Sequence, residues 1–144
     1  MASHPPSSDF SRIADMTARS PLGEHLGWHT VEVRDDYAEF RMPFAEHNVT
    51  VANMVHGGAI AALADAAATA ACWATPNLGP QARGATLALN VNYLRAALGT
   101  ELVARARVVK RGRSVCVASV EVANEADELV ATATATYQLT LGKP

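Results

Sequence analysis

The stretch Met54–Thr75, MVHGGAIAALADAAATAACWAT, decides how the rest of the chain is read. From Gly57 onward alanine dominates and Pro76 follows, so propensity predicts one helix over Gly57–Thr75, stopped by the proline. Such a helix is apolar on every side and has to be enclosed by other elements. Its small side chains let neighbouring backbone come close. A membrane span is the other home for a run of this kind. Alanine partitions weakly into lipid, however, and Asp65 near the middle would cost roughly 3 kcal/mol at the bilayer centre. A buried helix fits better, and no membrane partner is expected.

Upstream of this helix, Gly27–Val33 and Tyr37–Pro43 read as two strands of a hairpin, with the charged Arg34-Asp35-Asp36 as its turn. Before them, Asp9–Arg19 places Phe10, Ile13 and Met16 or Thr17 at helical spacing. Ser8 or Asp9 is the expected cap, and Ser20, Pro21 and Gly23 the expected stop. Downstream, after the loop Pro76–Gly84, come four strand-like runs: Thr86–Leu94, Leu102–Val109, Val115–Ala123 and Leu129–Leu141. Arg111-Gly112 and Asn124–Glu128 read as hairpin turns. In the first run Leu87, Leu89, Val91 and Tyr93 alternate with Thr86, Ala88, Asn90 and Asn92, which is a strand with one apolar and one polar face. A strand of that length left as an edge invites pairing with its twin. This order predicts an α+β fold, an antiparallel sheet wrapped around a long central helix, and leaves several topologies open. The expected organisation is a leader with a short helix over 1–20 and a single domain over 21–144, since 144 residues suffice for one core.

Hydrophobic residues make up 49% and charged residues 18%, which is the balance of a folded protein. The net charge of -2 offers no basic footprint, so no nucleic-acid partner is expected. Cys72 and Cys116 lack CxxC spacing and companion histidines. They read as reduced, buried thiols rather than a disulfide or a metal site. His4, His25, His29 and His47 are scattered and read as surface or loop residues. The opening MASHPPSSDF has no basic region followed by an apolar run, so a cytoplasmic location is expected.

Between Gly57 and Ala82 the only charge is Asp65. A lone carboxylate in an apolar helix must be paired, hydrogen-bonded or open to a cleft. Two readings follow: a reactive acid, or a structural carboxylate bonded to a neighbour. His56-Gly57-Gly58 opens the same helix, where N–H groups have no earlier carbonyl to bond and the helix dipole is positive. This suits an oxyanion, although two glycines also serve a tight entry turn. Lys110, Arg111 and Arg113 cluster at a hairpin tip, either a solvated turn or a phosphate contact. No GxSxG elbow is present.

MVHGGAIAALADAAATAA resembles the HGG-x(6)-D helix of the PaaI-type hotdog thioesterases. FRMPFAEHN, GATLALNVNYLRAA and VVKRGRSVCVASVEV are similar to other parts of that family, and the likeness runs from about Leu22 to Leu141. The resemblance implies a hotdog fold that hydrolyses an acyl-CoA thioester, aryl or medium-chain. It also implies a homodimer or homotetramer in which two protomers join sheet edges and build two active sites across the interface. Gly57 N–H would polarise the thioester carbonyl with Gly58 beside it, and His56 would order the loop. Asp65 of the partner subunit would act as general base or nucleophile, and Thr86 would orient the attacking water. The family's asparagine six residues before the histidine is Thr50 here, which leaves Asn48 to face the thioester sulfur. For Arg111 and Arg113, contact with the CoA phosphates is the second reading beside that of a solvated turn, argued from side-chain chemistry and not from the resemblance. No cofactor beyond the CoA thioester and no metal is implied. The rival readings are a hotdog dehydratase or hydratase, and a non-catalytic acyl-CoA binder, the latter favoured by Thr50.

Overall fold

A computed structural model describes residues 8–76 and 78–140. The expected leader, His4 and the side chains of 8–11 and 14 lie outside the described residues, and with them the capping roles expected of Ser8 and Asp9. The elements are α1 (Ser8–Ala18), α2 (Pro21–Leu26), β1 (His29–Arg34), β2 (Tyr37–Met42), β3 (Val49–Val51), β4 (Met54–Val55), α3 (Gly57–Trp73), β5 (Arg83–Tyr93), β6 (Leu102–Arg111), β7 (Val115–Ala123) and β8 (Leu129–Thr140). Six strands form one antiparallel sheet in the order β1-β2-β6-β7-β8-β5, and α3 packs against it.

Small residues on both surfaces bring helix and sheet together. Ala64, Ala67, Ala68 and Ala71 of α3 are fully buried, as are Ala104, Ala106, Ala118 and Ala131 of the sheet. Leu63, Phe40, Val120 and Val130 fill the space between, each contributing roughly 1.5–3 kcal/mol by leaving water. Ile13 of α1 joins this core, and α1 packs on β1 and α3. Among the described residues no helix is long and apolar enough to cross a membrane.

The long helix is not enclosed all round. Ala61, Asp65, Thr69 and Trp73, spaced by four, form a stripe that is only half-buried. The sheet covers one side of α3 and stops at β5, which among the described residues is bonded only to β8. The edge strand therefore borders the open stripe. Leu89 and Val91 of β5 turn inward as the alternation predicts, but a bulge between Thr86 and Ala88 leaves Leu87 exposed.

Two local features depart from the expectation. Ser20 and Pro21 do end α1, yet they also start α2: Ser20 Oγ accepts from Gly23 N–H at 3.1 Å. Pro21 stands in the first turn, where a missing N–H loses nothing. The loop before α3 holds the short pair β3 and β4, whose two-residue turn places Ala52 at φ 52°. That pair is tied to the later loop by Gly99 N–H to Asn53 O (2.8 Å) and Val55 N–H to Ala97 O (2.9 Å).

Candidate active site

At the start of α3, His56 is the cap residue, and its Nδ1 accepts the Gly58 N–H at 2.8 Å. That bond requires the proton of the neutral ring on Nε2. A Cβ on Gly58 would meet the His56 ring at 2.9 Å, so a larger residue would push the ring out of place. The His56 carbonyl accepts from Ala59 N–H (2.9 Å) and Ile60 N–H (3.1 Å). Two bonds on that carbonyl polarise the N–H of the same peptide, which belongs to Gly57. Gly57 N–H is thus the donor left for an incoming oxygen, whereas Gly58 N–H is engaged by His56. Substrate contact through Gly58 N–H is not what this geometry offers.

Beside Gly57 lies a cleft of about 390 Å³, lined among others by Thr50, Met54, Val55, Ile60, Tyr93 and Leu94. Its walls are largely apolar, and Arg95, ion-paired to Glu128 at 2.9 Å, also borders it. Asn48 is not among its lining residues. That side chain is buried, and its Nδ2 donates to Leu26 O at 3.0 Å, tying the loop to the end of α2. Its backbone carbonyl accepts from His56 N–H at 2.7 Å. Asn48 braces the loop in this protomer, and Thr50 occupies the position facing the cleft.

Asp65 stands two turns into α3, half-buried on the open stripe, with Thr86 Oγ1–H donating to its Oδ1 at 2.8 Å. Asp65, singled out in the sequence, and Thr86, implied by the resemblance, are therefore in direct contact. Gly57 and Asp65, eight residues apart on one helix, are separated by about 12 Å along its axis. Reacting atoms must come within about 3.5 Å, so one protomer's pair does not meet on a single carbonyl.

The basic cluster does not join these groups. Arg111 donates through Nε (2.9 Å) and Nη2 (2.7 Å) to Asp36 Oδ1, and through Nη2 to Ala71 O (3.4 Å), near the far end of α3. That is about 20 Å from Gly57 by helix rise. The phosphate contact expected of Arg111 finds its guanidinium committed within the protomer, while Arg113 is exposed in the β6–β7 turn. At this far end Trp73 Nε1–H donates to Tyr137 Oη at 2.7 Å, and burial pushes the Tyr137 hydroxyl above its ordinary pKa. The Cys72 and Cys116 thiols are free, buried and hydrogen-bonded to each other. Cys72 keeps its proton, pushed up chiefly by that bond, and the same bond lowers Cys116. His25 and His47, read as scattered, pack ring to ring at 4.9 Å, with His47 Nε2 2.7 Å from His25 O.

Sequence reasoning missed Tyr93, whose hydroxyl donates to Gly57 O at 2.6 Å. Its place in the alternating strand marked it only as apolar. An aromatic hydroxyl at the end of the strand beside a glycine turn was the available signal.

Residues 52–131 match the family model of the thioesterase superfamily. The medium/long-chain acyl-CoA thioesterase YigI of Escherichia coli K12 is 29% identical over 134 residues, covering 83% of this chain and 85% of that protein. The crystal structure of a thioesterase family protein from Silicibacter pomeroyi is 27% identical, with a TM-score of 0.84 over 92% of this chain and 99% of that one. The PaaI protein of E. coli shares the fold, with a TM-score of 0.74 at 22% identity, over 91% of this chain and 93% of that one. With its six-stranded antiparallel sheet, its long packed helix and its HGG turn, the chain belongs to the thioesterase superfamily and has the hotdog fold of the PaaI-type thioesterases.

Proposed function

We propose that this thioesterase hydrolyses acyl-CoA thioesters at a site shared by two protomers. One observation carries the reading: the Asp65–Thr86 pair sits on the open stripe beside the unpaired edge β5, too far from Gly57 of its own chain to act with it. Pairing β5 with its twin in a homodimer, or in a homotetramer of two such dimers, would cover the stripe. It would also bring Asp65 of one protomer to Gly57 of the other.

In such a site Gly57 N–H donates to the developing oxyanion, a term worth about 3 kcal/mol for a positioned donor. Thr86 holds a water and Asp65 takes its proton as the oxygen attacks, and collapse of the tetrahedral intermediate breaks the C–S bond to give the free acid and CoA. Alternatively the carboxylate attacks, the C–S bond breaks to release CoA, and water hydrolyses the mixed anhydride left on Asp65 to the free acid. No cofactor beyond the thioester enters. Apolar cleft walls suit an aryl or medium-chain acyl group, and the likeness to YigI, a medium/long-chain acyl-CoA thioesterase, supports the medium-chain choice. Reduced, buried thiols fit a cytoplasmic protein.

The test is a panel of acyl-CoA thioesters mixed with a thiol reagent. Release of CoA from aryl or medium-chain members supports the reading. Binding without release by the wild-type chain would instead favour an acyl-CoA binder, the reading that Thr50 in the cleft wall suggests.

A further inference from the structure

Gly57 and Gly58 form the most permissive backbone pair in the chain, yet an oxyanion donor works only if its direction is fixed before substrate arrives. Two side chains restrain this pair from opposite ends of one peptide. On the amide side His56 Nδ1 accepts Gly58 N–H at 2.8 Å. On the carbonyl side Tyr93 Oη–H donates to Gly57 O at 2.6 Å. These bonds run in line through a single peptide unit, and each polarises the other.

Tyr93 has little reason to be there for the core. It is the last residue of the edge strand, it is 53% exposed, and its ring lies 3.4–3.5 Å from where a Cβ on Gly57 would stand. It also lines the cleft. Removing an exposed tyrosine hydroxyl ordinarily changes stability by a few tenths of a kcal/mol at most. Its short bond to a first-turn carbonyl therefore asks for another explanation.

Resting on the hydrolytic reading above, we propose that Tyr93 is a positioning residue of the site: its hydroxyl, with His56, locks the Gly57–Gly58 peptide so that Gly57 N–H stays fixed beside the cleft. Because Tyr93 ends the strand proposed to pair with its twin, it also ties the oxyanion turn to the dimer edge. Asp65 and Thr86 supply the water, and Tyr93 sets the donor that answers it.

The test uses Tyr93→Phe, which keeps the ring and loses only the hydroxyl, in the full-length chain. The expected result is a kcat about 10-fold lower with KM within about twofold and the pH profile unmoved. Two unreactive substrate analogues add a readout that mere packing would not move. One is a ketone with CH2 in place of sulfur, which keeps the carbonyl; the other is a thioether without one. Tyr93→Phe should weaken the ketone about 5-fold and leave the thioether unchanged. Equal kcat for the two proteins would overturn the proposal, as would equal weakening of both analogues, which would make Tyr93 an acyl-packing residue only. A wild-type chain that turns over no thioester counts against the hydrolytic reading instead, so the two failures are distinguishable.

Discussion

At its C-terminal end α3 is held by groups that answer one another within the protomer: Trp73 to Tyr137, Cys72 to Cys116, and Arg111 to Asp36 and Ala71 O. Asp36 closes the set from the β1–β2 turn, its N–H on Ala74 O at 2.9 Å. At the N-terminal end the bonds run differently. His56 and Tyr93 fix the glycine turn, but Gly57 N–H points to no helical partner, and Asp65 has one oxygen held by Thr86 on a half-buried stripe. One end satisfies its polar groups and the other holds two of them ready. The same apolar helix is thus a strut at one end and a scaffold for chemistry at the other.

Substitutions at the two ends should separate these roles. The largest effect is expected at Asp65. Asp65→Asn keeps size and the Thr86 bond but removes the basic carboxylate, so kcat should fall about 100-fold or more. Its melting temperature should hold or rise, because a half-buried charge without a full set of partners is costly. A destabilised but fully active variant would make Asp65 a structural acid and erase the contrast. The smaller effect belongs to the far end. Tyr137→Phe leaves Trp73 Nε1–H without its acceptor and should cost about 1–3 kcal/mol, lowering Tm by several degrees at fixed protein concentration. Activity per folded molecule should stay unchanged; a loss of kcat there would show that the strut also shapes the site.

Much of this architecture was legible in the residues. The alanine run and Pro76 foretell α3 to within two residues, and Val115–Ala123 is a strand with the bounds its alternation suggests. That a lone acid on an apolar helix needs a partner was legible, and the resemblance supplied Thr86; their direct contact was not foreseen. What sequence could not resolve depends on distance. Whether Arg111 meets a phosphate or Asp36 turns on how a β6–β7 hairpin folds over a β1–β2 turn 75 residues away. Asn48 looked available because it is an amide near the histidine, yet two residues of loop decide that Thr50 faces the cleft. Ser20-Pro21 carries the signals of both a stop and a start, and α2 uses both.

The shared site is the claim on which the rest depends, and co-expression of two crippled chains tests it most directly. Gly57→Val crowds the Tyr93 ring, which already lies 3.4 Å from the Cβ position, and blocks the donor; Asp65→Asn removes the acid. Each variant alone should be nearly inactive. In a randomly mixed dimer of the two, one site inherits both defects and the other inherits neither. Acyl-CoA hydrolysis by the mixture should therefore recover to about a quarter of the wild-type rate per chain. Recovery no greater than the sum of the two variants measured separately would contradict a site built from Gly57 of one protomer and Asp65 of its partner.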